Sequence, residues 1–334
     1  MPQPTLMTWR RTTAMMAVWA CLASAAHAQS PAQTPAQTNW PERAIRVVLP
    51  FPPGGPSDIV MRLAAEKMQL ALKQTLVLDN KPGAGGNLGA ADVARSVPDG
   101  YTWLFGTDTL VTVNPHVYKQ LGFKVDDLVP VTLATSFSQT LVCHPAVGVK
   151  TLAELVAKAK TTPMSYASGG AGVPGHLSME LLQHRMGFEM QHVPYKGPAP
   201  AMQDVLGGQV ACGLLAGPTV LPQVRAGKLV ALAVSGSQRA ATLPDVPTMN
   251  EAGAKGYAAD FGLVMFAPRG TPEALVVKFR QAFVDALRTP EVSDKLKAGD
   301  QNVVGSTPAE AARSLAADAT KWGEVARRIK LGLD

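Results

Sequence analysis

Ala44-Ile45-Arg46-Val47-Val48-Leu49-Pro50, running into Phe51-Pro52-Pro53-Gly54-Gly55-Pro56-Ser57-Asp58, is the segment that sets the reading of the chain. A short aliphatic, β-branched run that stops at a Gly/Pro turn reads as a strand buried on both faces. Beyond the turn, Val60, Ala64, Met68 and Ala71 recur at helical spacing, and Ser57 stands where it can cap that helix. Residues 75–79 read as a second strand ending in Pro82-Gly83-Ala84-Gly85-Gly86, residues 89–97 as a helix, and residues 101–106 as a third strand. Strand, helix, strand, helix, strand is the order of a parallel sheet covered by helices.

The same order recurs downstream. Residues 131–144 are strand-rich, and Thr151-Leu152-Ala153-Glu154 is a capping box that opens a helix. A strand at 164–167 leads through Ser168-Gly169-Gly170-Ala171-Gly172-Val173-Pro174-Gly175 into a helix over 176–186. Strands at 191–195, 210–215 and 229–234, with a short helix at 200–206, complete a second series. The C-terminal third is helical, with Thr271-Pro272 opening one helix and a capping box at Thr307–Glu310 opening the last, which runs to about residue 329.

A length of 334 residues with 46% apolar and 17% charged residues suits about two globular domains. No apolar run reaches the roughly 18–20 residues needed to cross a bilayer. Residues 1–28 read as a secretory signal peptide: Arg10-Arg11, an apolar stretch, then the small-x-small site Ala26-His27-Ala28. Trp19 spoils a lipoprotein box at Cys21. A Thr/Gln/Pro/Ala linker, 29–39, follows. Losing residues 1–28 lowers the formal net charge from +6 by two, and no basic run with interleaved aromatics remains, so nucleic acid is not an expected partner. Cys143 and Cys212 each sit in an apolar strand-like run. Export makes a disulfide feasible, but two buried free thiols are the expectation.

The turns at 50–58 and 168–176 stand out because each leaves a strand and enters a helix N-terminus. Such ends carry unpaired N–H groups and about half a positive charge, and glycines let an anion approach closely. The other reading is that Gly and Pro merely make tight turns; one such turn in each half favours a cleft. Gly170-x-Gly172-x-x-Gly175 matches a dinucleotide fingerprint in letters, but Glu189 precedes the next strand instead of ending it. His176, Glu180 and His184 share one helix face at metal-binding spacing, yet His176 near the loop is as well explained as an orienting group. No cofactor and no metal are expected.

Val48-Leu49-Pro50-Phe51-Pro52-Pro53-Gly54-Gly55-Pro56-Ser57-Asp58, Asn80-Lys81-Pro82-Gly83-Ala84-Gly85-Gly86-Asn87-Leu88-Gly89 and Pro98-Asp99-Gly100-Tyr101-Thr102 together resemble the Bug family. These are the extracytoplasmic solute receptors of tripartite tricarboxylate transporters. Tyr166–Gly170, Val193–Gly197, Leu206–Val210, Ala226–Leu229, Leu243–Thr248 and Ala267–Pro272 continue the resemblance over nearly the whole mature chain. Two stretches depart from the family pattern: Ala211-Cys212, where an acid is usual, and Gly262–Phe266, where Trp-x-Gly is usual.

The resemblance implies an α/β, two-lobed type II periplasmic-binding-protein fold, each lobe a mainly parallel sheet flanked by helices, with a ligand cleft between lobes. Lobe one is expected over 40–138 and 262–334, and lobe two over 139–261. A small carboxylate would be held by Phe51, Pro53, Gly54, Gly55, Ser57 and Asp58 on one jaw. The other jaw would be Ser168, Gly169, Gly170, Ala171, Gly172 and Val173, with Thr107, Asp108 and Tyr195 as walls. The implied role is a monomeric periplasmic receptor that delivers its ligand to integral membrane transporter subunits. A secreted enzyme of similar bilobed shape, or a receptor that signals to a membrane sensor, are the alternatives. The sequence leaves the ligand itself unnamed.

Overall fold

The computed structural model describes residues 39–328 and Gly332, so the signal-peptide and linker expectations lie outside the described residues. Strand β1 (Ile45–Leu49), helix α1 (Pro56–Leu72), β2 (Leu76–Asn80), α2 (Asn87–Ala94) and β3 (Thr102–Thr107) come first, followed by the short helices α3 (Thr109–Thr112) and α4 (Asn114–Val117). Then come β4 (Leu128–Cys143), α5 (Leu152–Ala159), β5 (Ser165–Ser168), α6 (Pro174–Met186), β6 (Gln191–Pro194), α7 (Pro198–Leu206), β7 (Cys212–Ala216), α8 (Gly217–Arg225) and β8 (Val230–Val234). The chain closes with β9 (Asp260–Pro268), α9 (Glu273–Arg288), α10 (Pro290–Ala298), β10 (Asn302–Val303) and α11 (Pro308–Arg328).

The strands line up in the order β2-β1-β3-β9-β4-β7-β5-β6, with β8 and β10 both paired to β4. Pairing is parallel within each strand–helix–strand series: β1 with β2 and β3, and β5 with β6 and β7. It turns antiparallel wherever β4 or β9 takes part. The 16-residue β4 pairs with β9 from Leu128 to Ser138, then from Gln139 to Cys143 with β7. One strand therefore serves both halves of the sheet, changing partner between Ser138 and Gln139.

Three local expectations shift, each for a physical reason. Helix α1 starts two residues earlier than a Ser57 cap requires, because the fixed φ of Pro56 suits the first helical position; Gly55 becomes the N-cap and supplies no side-chain bond. Its buried stripe ends on Leu72, not Ala71, which is exposed; a 3.6-residue period carries Val60, Ala64 and Met68 on to that position. Thr271 does not cap α9: its hydroxyl donates to the Pro268 carbonyl at 2.8 Å, and Pro272 is the N-cap. The capping boxes at Thr151–Glu154 and Thr307–Glu310 form as expected.

The expectation of free thiols is overturned, because Cys143 and Cys212 form a disulfide. They are register partners on β4 and β7, with Cα atoms 3.9 Å apart. The neighbouring pair His144–Ala211 makes the ladder bond, which leaves the cysteines at a close, non-hydrogen-bonded position. Two strands 69 residues apart in sequence could not be set in register from the sequence alone.

Candidate ligand site

The first turn is fastened from beneath by Asp58. Its carboxylate accepts from the Gly54 N–H at 3.0 Å and from Arg62 Nε at 2.9 and 3.0 Å. Burial works to raise this carboxyl, but the bonds from Arg62 and Gly54 outweigh it and hold it below the usual carboxylate range. Asn80 Nδ2 donates to the Phe51 carbonyl at 2.8 Å, tying the turn to β2. Gly54 needs its glycine, with φ +84°. Asp58 is therefore occupied with the turn, and what the turn presents outward is backbone. No side chain among the described residues caps α1, so the N–H groups of Ser57 and Asp58 stand at a positive helix end.

The second turn is held by two histidines. Ser168 Oγ donates to the Gly170 carbonyl at 2.9 Å and lies 2.7 Å from His192 Nε2, so the Nε2–H tautomer completes the bond. His176 Nδ1 accepts from the Gly172 N–H at 3.0 Å. The two imidazoles stack at 4.0 Å, and Tyr166 stacks on His192 at 4.9 Å. Burial, with the facing His192 ring adding to it, lowers His176 to about 3, and burial lowers His192 to about 4, so both rings are neutral braces. Orienting the loop is what His176 does here; His184, its partner in the metal-like spacing, is exposed. The Ser168–His192 pair has the contact of a nucleophile and base. However, the hydroxyl is fully buried, donates to a carbonyl and does not line the cavity. Nor does one of the described side chains cap α6, which leaves the N–H groups of Gly175 and His176 at its end.

Between the turns lies a small, open-mouthed cavity. Phe51, Ser57, Thr107, Gly169 and Val173 line it, as do Pro56, Pro174 and Gly175 at the two helix starts. Phe137 and Gln139 from β4, Pro198, and Leu215 and Ala216 complete the wall. Among the described residues, none that lines it is charged. Gln139 is 2% exposed, and its Nε2 has no hydrogen-bond partner among the described residues. Sequence reasoning passed over Gln139, although an amide inside the apolar run Phe137–Cys143 was a visible signal; which face it takes depends on β4's partners.

Other expected residues lie elsewhere. Asp108 Oδ2 accepts from the Gly262 N–H at 2.7 Å and the Asp108 N–H donates to the Gly262 carbonyl, clamping β3 to β9. It borders a separate cavity beside Asp318 and Lys321, and burial pushes its carboxyl up to about 8. The Tyr195 hydroxyl donates to Asp204, and burial together with that carboxylate pushes the phenol up to about 12. Pro53 and Gly54 are exposed, and Ala171 accepts a 2.6 Å bond from the Tyr118 hydroxyl across the cleft. Gly170, at φ +141°, would place a Cβ 3.0 Å from the Tyr195 carbonyl, and Gly172 has φ +76°.

The profile described as "Tripartite tricarboxylate transporter family receptor" matches residues 60–331. The chain belongs to this family. BugT of Bordetella pertussis is 34% identical over 293 residues, covering 86% of this chain and 90% of that protein. The solved periplasmic binding protein BugD is 32% identical with a TM-score of 0.84, covering 88% of this chain and 99% of BugD. A Rhodopseudomonas palustris protein solved with adipate is 32% identical with a TM-score of 0.84, covering 87% and 98%. MatC from the same organism, with bound malate, is 31% identical with a TM-score of 0.80, covering 86% and 99%. The fold of this receptor is thus the α/β fold of periplasmic binding proteins.

Proposed function

We propose that this receptor captures a small organic carboxylate in the cavity between the turns at 50–58 and 168–176 and delivers it to integral membrane transporter subunits. It works as a periplasmic monomer without a cofactor and catalyses no reaction on its ligand. Residues 1–28 direct export and are removed after Ala28. The observation that carries this reading is that two proline-started helices, α1 and α6, bring their ends to one cavity with no charged side chain among the described residues of its wall. An anion there is met by the N–H groups of Ser57, Asp58, Gly175 and His176, aided by both helix dipoles. Each charge-assisted bond contributes about 1.5–3 kcal/mol net, so four of them with burial of the ligand's body suit micromolar binding, about 8 kcal/mol. Malate and adipate in relatives' structures support the ligand class.

The lobes we assign are 40–138 with 262–334, and 139–261, hinged where β4 and β9 run through; ligand that touches both turns favours their approach. In a thermal-shift panel of carboxylates, amides and sugars, a carboxylate at about a hundredfold excess over its Kd is expected to add about 2.7 kcal/mol of stability. Shifts from uncharged compounds alone would overturn the reading. Small-angle scattering of the liganded protein should give a smaller radius of gyration than the free protein; an equal or larger one contradicts the hinge.

A further inference from the structure

Gln139 brings to the lining a fully buried polar atom that has no partner among the described residues: its Nε2, in a residue only 2% exposed. Its backbone is fixed by Ser235, the N–H donating to Ser235 Oγ at 2.8 Å and the carbonyl accepting from the Ser235 N–H at 2.8 Å. The residue thus has a fixed place on the strand that serves both halves. Its Oε1 lies 3.4 Å from where a Cβ on Gly175 would stand, beside the end of α6. A buried amide donor with no acceptor bears its whole desolvation cost until a ligand supplies an oxygen. That oxygen must lie close to the carboxylate, since Gln139 and the α6 end are neighbours.

The rest of the wall limits what else the ligand can carry. Phe51, Phe137, Val173 and Leu215 offer apolar surface and no cation. A third helix end, α8, reaches the cavity through Ala216 and has no side-chain cap, so it is the natural seat for a second anion. The Asp300 carboxyl stands there instead, with Oδ2 2.2 Å from where a Cβ on Gly217 would be. Asp300 itself does not line the cavity, so with that helix end taken and no cation among the described lining residues a second carboxylate finds no charged partner, whereas an alkyl body meets the apolar wall.

We propose that Gln139 donates to a neutral oxygen next to the ligand's carboxylate, so that the site takes 2-oxo or 2-hydroxy monocarboxylates with a short apolar side chain. This rests on the carboxylate lying between α1 and α6. The test is calorimetric titration of the parent protein with 2-oxo-4-methylpentanoate, with 4-methylpentanoate, and with pentanedioate. The 2-oxo acid should bind about tenfold more tightly than its deoxy analogue, the worth of one hydrogen bond, and more tightly than the diacid. In Gln139→Met the two monoacids should bind alike, with the melting curve reporting that the variant folds. Equal binding of the two monoacids by the parent, tighter binding of pentanedioate, or a preference unchanged in Gln139→Met would each overturn the assignment while the carboxylate reading stands. Binding of none of the three acids, with binding of their amides, would overturn both.

Discussion

Asp108→Asn is expected to stabilise the folded protein by on the order of 5 kcal/mol at pH 8 and by very little at pH 4. Burial raises the Asp108 carboxyl from 3.8 to about 8, with Asp318 adding to the rise and the Gly262 N–H and Lys321 opposing it. The unfolded chain gives up this proton above pH 4 while the folded protein keeps it. The parent therefore loses stability as pH rises from about 4 to about 8, and no further above that, where both states are ionised. Asn titrates nowhere and still offers an oxygen to the Gly262 N–H, so the variant escapes the loss and keeps the clamp between β3 and β9. Urea unfolding of both proteins at pH 4, 6 and 8 reads the effect. A difference of the same size at all three pH values would show that ionisation of Asp108 is not its source.

Breaking the disulfide should act in the opposite direction. Cys143 and Cys212 lie 69 residues apart in sequence, and closing a loop of that length restricts the unfolded chain by about 4 kcal/mol. That is a large share of the about 5–15 kcal/mol by which domains are usually stable. The bond also pins the end of β4 that carries Gln139 to the strand that carries Leu215 and Ala216, so the cavity wall loosens with it. Cys143→Ser with Cys212→Ser, or the parent protein under reductant, should unfold at a markedly lower denaturant concentration. An unchanged midpoint in both would mean that strand pairing alone holds β4 to β7.

What the sequence made legible follows from the range of the interactions involved. The strand at Ile45–Leu49, the helix after Pro56 and both capping boxes are decided within a few residues, and they stand in the structure nearly where periodicity and turn chemistry put them. Helix starts slipped by a residue or two where proline competed with a capping hydroxyl, as at Ser57 and Thr271. The disulfide was hidden because the register of β4 on β7 is a long-range property. The resemblance implies Asp108 as a wall beside Thr107, but β3 ends at Thr107 and Asp108 has already turned into the start of α3: Thr107 lines the cavity, and Asp108 turns to Gly262. Gln139 was unread for the converse reason, since an amide in an apolar run has no meaning until the face of its strand is known.

The N–H groups of Ser57, Asp58, Gly175 and His176 can be observed one by one, in the 1H–15N spectrum of the labelled protein titrated with its carboxylate. Capture of the anion between α1 and α6 predicts that all four resonances move downfield together and saturate at one ligand concentration, because each N–H gains a charged acceptor. If saturating ligand leaves those four unmoved while resonances elsewhere shift, the carboxylate is not held between the two helix ends.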